Sequence, residues 1–272
     1  MKVDNLISEH CHNIENNGYT IIPEAFTEKL ADKLKDKIES LERSLGSITQ
    51  SGTPYLNQGH RIVYSLENKD RLFTQVMLND PLTKGIMLRL LNDKWYKQSP
   101  QNAPNFILRA MIARTGGKES LPLHIDSFMP SSGKFCWALQ ISYTLDEQTI
   151  ENGCTVVVPK SHKSDAYAQQ EDLKKAIPIQ PKKGDIVIWD SRLWHGANPN
   201  KTSKTRWVFI GTFTRWWIKQ NYQTTANIPK AIVEDLNDEE KSILGFCSAP
   251  PFDENERVDI KGGYELFEDI MK

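Results

Sequence analysis

The stretch Leu123-His124-Ile125-Asp126-Ser127 sets an imidazole and a carboxylate two residues apart. In an extended strand, residues i and i+2 share a face. His124 and Asp126 are therefore predicted to point at one place, with Ile125 turned into the opposite layer. Taken alone, this spacing is more commonly a surface loop pair than a site. A third ligand candidate, His195, stands in DIVIWDSRLWHGANPNKTSKTRWVF, after a buried-looking strand and at the start of a Gly/Asn/Pro turn. Two histidines and one carboxylate can occupy one face of an octahedron around Fe(II), leaving three adjacent positions for substrate atoms and oxygen. No cysteine stands close by to favour zinc-thiolate chemistry. Eleven residues beyond His195 comes Arg206, at the head of the next strand. A guanidinium there offers a rigid donor fork matched to a carboxylate, which a dicarboxylic co-substrate held by iron at one end requires at the other. A surface charge or an ordinary ion pair is the competing account of Arg206.

The elements that must position these groups divide the chain by texture. Thr27 is predicted to cap a helix that carries Leu30, Leu34, Ile38, Leu41 and Leu45 on one stripe and ends at Gly46. Residues 47–70, rich in Ser, Gly, Asn and Gln, read as irregular, and PLTKGIMLRLLNDKWY (81–96) reads as a second helix. After Pro104 come short segments rich in β-branched and aromatic residues: 106–114, 134–145, 154–159, 185–189 and 206–216. Turn residues separate them, and a capping-box spacing from Asn237 to Glu240 brings back a helix. Strands in series with helices mostly outside them imply a sandwich or barrel. No linker divides the chain. The expectation is one domain over 1–272, with a helical part (1–100), a β core (104–216) and a C-terminal extension (217–272).

Several other residues compete for roles. On the strand Ala138-Gln140-Ser142, opposite Trp137, Leu139, Ile141 and Tyr143, Gln140 and Ser142 face either a cavity or solvent. Arg114 ends the strand before His124 and is a substrate-contact candidate, as is Phe128 in the loop after Asp126; a solvated strand end is an equal account of Arg114. Trp189, Trp194, Trp216 and Trp217 read as core aromatics. His162 reads as a turn residue, and His10, Cys11 and His12 lie in a polar segment without evident partners. Asn200-Lys201-Thr202 reads as a hairpin turn.

With these residues in hand, the sequence resembles the phytanoyl-CoA dioxygenase family of Fe(II)- and 2-oxoglutarate-dependent oxygenases. The resemblance rests on HID (124–126), ENGCTVVVPKSHK (151–163), KKGDIVIWDSRLWHGANPNKT (182–202) and Arg206, and less specifically on NNGYTIIPEAFT (16–27). It implies a mainly β fold with flanking helices, built on a double-stranded β-helix of jelly-roll, cupin-like form. It implies His124, Asp126 and His195 as iron ligands and Arg206 on the far carboxylate of 2-oxoglutarate; if the alternation turns Gln140 to the cavity, it is the further candidate beside that co-substrate. The implied reaction consumes O2, releases succinate and CO2, and hydroxylates or otherwise oxidises a C–H bond of a small organic molecule. Asp126 favours hydroxylation over halogenation, because related halogenases lack the carboxylate. Two departures stand out. The family's usual P-G-S-H is Pro159-Lys160-Ser161-His162 here, so that turn is open to change. Position 197 is Ala where some relatives carry a Ser that touches the co-substrate. The rival reading is a β-helix binding module that has lost turnover.

Composition narrows the remaining classes. Net charge is −1 over 272 residues with Lys and Arg scattered, which gives no basic stripe for nucleic acid. The four cysteines are far apart and form no CxxC pair, as expected of reduced thiols in a cytoplasm. No apolar run approaches the roughly 18 residues of a membrane span, and the N-terminus has no signal-peptide pattern. The partner class expected is a small molecule. The variable loops expected to choose it are 47–70, 127–135, 164–176 and the segment after 215.

Overall fold

The computed structural model describes residues 2–45, 60–93 and 103–249. Four helices cover the N-terminal part: α1 (Lys2–Asn17), α2 (Glu28–Leu45), α3 (Arg71–Asn79) and α4 (Pro81–Leu91). Ten strands follow or interleave with them: β1 (Tyr19–Ile22), β2 (Ile62–Tyr64), β3 (Phe106–Thr115), β4 (Leu121–His124), β5 (Ala138–Thr144), β6 (Thr155–Val157), β7 (Ile177–Pro178), β8 (Ile186–Asp190), β9 (His195–Ala197) and β10 (Trp207–Arg215). Three short helices close the described chain: α5 (Thr224–Asn227), α6 (Lys230–Glu234) and α7 (Asp238–Ile243).

The strands form two antiparallel sheets. The larger runs β1-β8-β5-β10-β3-β2 and the smaller β4-β9-β6-β7. Apart from β2–β3 and β6–β7, neighbours in the order are not consecutive in sequence, as the jelly-roll reading requires. The five long apolar segments read from sequence all contain strands. Alternation sorts their residues. Leu139, Ile141 and Tyr143 of β5, with Phe209 and Phe213 of β10, enter the large core that α1 to α4 build on the outer face of the larger sheet. A smaller cluster, Val157, Ile179, Val187, Trp189 and Leu193, is buried apart from it.

Several expectations need correction. The polar N-terminal segment is helical, and Cys11 and Ile14 are buried on its inner face. The helix read over 81–96 ends at Leu91, where Asn92 leaves helical geometry to bond the backbone at Ala103 and Asn105. Residues 60–70 of the stretch read as irregular contain β2 and a 3-10 turn, Leu66–Asn68, and 71–79 is α3, capped by the Asp70 side chain. Gly46 and residues 47–59 lie outside the described residues. The capping box at Asn237 and Glu240 is present, with both reciprocal bonds made. Thr27 Oγ1 accepts from the Leu30 N–H, as its capping role requires. Among the described residues, no helix is long and apolar enough to cross a membrane.

Candidate metal centre

His124 and His195 are positioned by the smaller sheet, where they face one another as register partners on β4 and β9. That pairing needs Gly196. A Cβ there would collide with the Leu121 carbonyl and crowd that of Pro122, so only glycine lets β9 approach β4 so closely. Asp126 lies two residues past the end of β4. It is therefore not held by strand alternation, as the spacing predicted, but by the backbone: the N–H groups of Asp126 and Ser127 both donate to the Ser191 carbonyl, at 2.8 and 3.0 Å. The loop after β8 thus carries the carboxylate to the two imidazoles.

The ligating atoms of His124, Asp126 and His195 all lie within 4.8 Å of one another. His124 Nε2 is 3.7 Å from Asp126 Oδ1, and His195 Nε2 is 3.3 Å from Asp126 Oδ2. Both rings donate their Nδ1–H to a carbonyl two residues back, Pro122 at 3.0 Å and Leu193 at 2.9 Å. These bonds select the tautomer in which each Nε2 carries a lone pair. Burial lowers the His195 pKa to about 4 against the opposing pull of Asp126, so this ring is neutral at pH 7. Burial pushes the Asp126 carboxyl up, but His195, His124, the Trp189 N–H and Arg114 outweigh it and hold it below the usual carboxylate range. Two lone pairs and a carboxylate therefore converge on one point, an arrangement that repels itself unless a cation sits among them. The nitrogen and oxygen donor set fits Fe(II) or another divalent transition ion.

The triad opens on a cavity of about 490 Å³ between the two sheets. Arg114, Gln140 and Phe128, all candidates from sequence, line it. Gln140 is buried and accepts from Thr212 Oγ1 at 2.6 Å, whereas Ser142 is buried away from the cavity wall. Phe128 holds a left-handed backbone, with φ of 64°, and is largely exposed. Arg206 is not on the cavity wall. It is buried immediately before β10, where its Nη2 donates to the Gly153 carbonyl at 2.7 Å and its Nε has no partner. Burial and then the charge of Arg114 lower its pKa to about 10. Arg215 is committed elsewhere: it donates to the Cys136 and Leu90 carbonyls and stacks on Phe135.

Three residues at this site escaped the sequence reading. Trp189, read as a core aromatic, lines the cavity and donates from Nε1 to Asp126 Oδ2 at 3.3 Å. His60 lies against Arg114, its Nδ1 3.0 Å from the Thr115 carbonyl and 3.3 Å from Arg114 Nη2. The shorter contact is the hydrogen bond, since one Nδ1 cannot both donate to the carbonyl and accept from the guanidinium. Arg109 reaches the cavity from β3. Trp189 had a usable signal in its alternation with Ile188. His60 and Arg109 had none.

The family model described as phytanoyl-CoA dioxygenase matches residues 14–208. The chain belongs to the phytanoyl-CoA dioxygenase family. Among curated proteins, it is 25% identical over 242 residues to the dioxygenase af480 of Aspergillus fumigatus, covering 86% of this chain and 75% of that one. Among solved structures, HygX from Streptomyces hygroscopicus, with nickel and 2-oxoglutarate bound, superposes with a TM-score of 0.61 at 16% identity, over 78% of this chain and 88% of its own. The epimerase SnoN from nogalamycin biosynthesis, in complex with Fe3+, alpha ketoglutarate and nogalamycin RO, gives a TM-score of 0.61 at 15% identity, over 78% and 84%. These likenesses show the fold, and the mainly β jelly-roll expectation holds.

The turn that has Lys160 in place of the family's usual Gly is well defined here. Lys160 adopts φ 68°, ψ −1°, the left-handed conformation that glycine takes without cost. Its N–H donates to the Asn17 carbonyl, and Ser161 Oγ accepts from the Trp194 N–H, one residue before His195. His162 is buried, with Nε2 3.1 Å from the Glu15 carbonyl, which ties the turn to the end of α1. The asparagine of the NPNKT segment makes its turn locally: Asn200 Oδ1 accepts from the N–H and hydroxyl of Thr202.

Proposed function

We propose that this chain is an Fe(II)- and 2-oxoglutarate-dependent oxygenase that oxidises a C–H bond of a small organic molecule and releases succinate and CO2. The observation that supports it most is the convergence of two neutral-tautomer Nε2 atoms and one carboxylate at the wall of a cavity. In this reading His124, Asp126 and His195 hold the metal. Bound there with 2-oxoglutarate, iron would activate O2 and supply the oxidant. The protein's work is placement. Trp189 fixes one oxygen of Asp126, leaving the other for the metal. Arg206, with Arg114 beside it, takes the far carboxylate of 2-oxoglutarate; the buried, partnerless Nε of Arg206 and the mutual repulsion of the two cations favour an anion there. Gln140 stands on the same wall, fixed by Thr212. The helical part, the β core and the C-terminal extension act as one unit, since Asn221 and Tyr222 complete the cavity.

Anaerobic titration of the protein with Fe(II) and 2-oxoglutarate tests the reading. A visible metal-to-ligand charge-transfer band, which requires bidentate chelation, is the expected result. Absence of the band favours the binding-module alternative. Mass analysis of product then separates hydroxylation from outcomes that return the substrate mass unchanged or two hydrogens lighter.

A further inference from the structure

β3 changes phase in its middle. Phe106 and Leu108 face the helical core, and so do Met111 and Ala113. Even positions give way to odd ones, so one residue has been inserted. The register with β10 locates it: Phe213 pairs with Leu108 and Thr212 with Ala110, leaving Arg109 opposite no residue. This is a β-bulge, a device that re-aims a side chain next to a site. It turns Arg109 onto the same side as Ala110, Ile112 and Arg114, all of which line the cavity. The guanidinium sits over the Phe128 ring, 4.6 Å from its centroid, and its Nε is buried without a hydrogen-bond partner. Asn221 donates its N–H to the Arg109 carbonyl, which fixes the bulge from the C-terminal side.

Position and charge say what this group is for. Arg109 and Arg114 both lie in the field of Asp126, and they stand five residues apart on β3, roughly 15 Å along an extended strand. They flank the triad from two directions. A five-carbon diacid chelated at the triad and reaching Arg114 and Arg206 cannot also reach Arg109. Charge leads to the same conclusion. On the cavity wall Arg109 and Arg114 against Asp126 leave one positive charge, and Arg206, buried behind the wall, adds a second. A divalent metal and a dianionic co-substrate cancel one another and leave that excess in place.

We propose that Arg109 binds the anionic group of the primary substrate, which is an organic acid with an apolar or aromatic body. Building on the oxygenase reading, this adds the substrate class. The body lies along Phe128, Tyr64 and Trp189 on the cavity wall, with the acid at Arg109 and the C–H bond to be oxidised turned to the triad.

The test uses benzoate as probe and benzamide as its neutral isostere, each titrated by calorimetry into the anaerobic Fe(II)·2-oxoglutarate holoenzyme while the visible band is followed. Benzoate should bind ~10- to 100-fold tighter than benzamide, the range of a charge-assisted hydrogen bond. Arg109→Gln should bring benzoate down to the benzamide level with the band intact, and Arg109→Lys should fall between. Equal affinity for acid and amide, including no binding of either, overturns the inference, and wild type alone decides this even if the variants do not fold. Unchanged benzoate binding in Arg109→Gln overturns it too. So does loss of the band as benzoate binds, because the anion site is then the co-substrate's. Absence of any band before benzoate is added counts against the oxygenase reading itself, and the substrate inference falls with it.

Discussion

Asp126 depends on groups that leave it little freedom: its N–H is tied to Ser191, and one carboxylate oxygen accepts from the Trp189 indole. Replacing the carboxylate removes a ligand and a negative charge together. Asp126→Ala should therefore lose most Fe(II) affinity and turnover; near-normal turnover at limiting iron would mean that Asp126 is no ligand. Trp189→Phe keeps an aromatic ring but loses the indole N–H together with the pyrrole part that carries it. A lost partner of a metal-ligating group typically costs 10–100-fold in metal affinity or activity, so about that loss is expected in Fe(II) titration. In the proposed reading Arg206 and Arg114 divide another task. Arg206→Met should raise the apparent 2-oxoglutarate constant by an amount equivalent to roughly 2–5 kcal/mol, and Arg206→Lys by less, because a point charge replaces a fork. Iron affinity should barely move. If Arg206→Met leaves that constant alone and Arg114→Gln raises it, the guanidinium on the cavity wall is the reader and the buried one its support. The convergence of His124, Asp126 and His195 was legible because their spacings are short or recur as an ordered set, whereas Arg206, taken from the same set, lies behind the cavity wall. Arg109 was not legible, because nothing in FILRAMIAR marks which residue a partner strand will leave unpaired.

Strand length set what could be read at the level of elements. β3, β5 and β10 are seven to ten residues long and carry enough alternation to announce themselves. β4 and β9, which hold the two histidines, are four and three residues long and owe their pairing to Gly196 rather than to any pattern. α1 was hidden by its polarity, since only a narrow stripe through Cys11 and Ile14 is buried. The turn after β6 shows the cost of departing from a local rule. Lys160 in the left-handed region bears a penalty that glycine avoids, so Lys160→Gly should stabilise the fold by up to about 1 kcal/mol, read from the midpoint of urea unfolding. A lower midpoint would mean that the lysine side chain contributes more than the backbone loses. The 3-10 turn before α3 gives a pH-dependent case. Glu67 is 1% exposed with neither carboxylate oxygen hydrogen-bonded, and burial pushes its pKa up to about 7. Its ordinary value is near 4.3, so folding takes up a proton between the two. Stability should fall as pH rises through that window and stay low above it. Glu67→Gln should remove the fall, leaving the protein more stable than wild type at pH 8, by roughly 4 kcal/mol at most, and little changed near pH 4. A wild-type advantage at pH 8 would rule this out.

On the scale of the whole molecule, apolar burial and chemistry occupy different layers. The helices bury the outer face of the larger sheet in one large core, while the space between the sheets is shared by a small apolar cluster and the cavity. The helical layer leaves the inner layer able to carry a self-repelling triad and three guanidiniums, features that a sole core would tolerate poorly. Stability and ligand binding are then coupled through the inner layer. Without a cation, two lone pairs and a carboxylate face each other; with one, that repulsion becomes coordination. A divalent ion that binds the folded chain and not the unfolded one stabilises by about 2.7 kcal/mol at a hundredfold excess over its dissociation constant. For a chain of this size, that amounts to a rise in Tm of roughly 5–10 °C. Ni(II) serves as the probe because it does not turn over. 2-Oxoglutarate should add a second increment only when Ni(II) is present, since one end of it needs the metal. Thermal unfolding of wild type, Asp126→Ala and Arg206→Met with each ligand alone and both together separates the contributions. Asp126→Ala should lose both increments, whereas Arg206→Met should keep the first and lose most of the second. An equal response of all three proteins to Ni(II) would place the ion elsewhere. A 2-oxoglutarate shift without metal would show that the arginines alone hold the diacid, and the order of binding would then reverse.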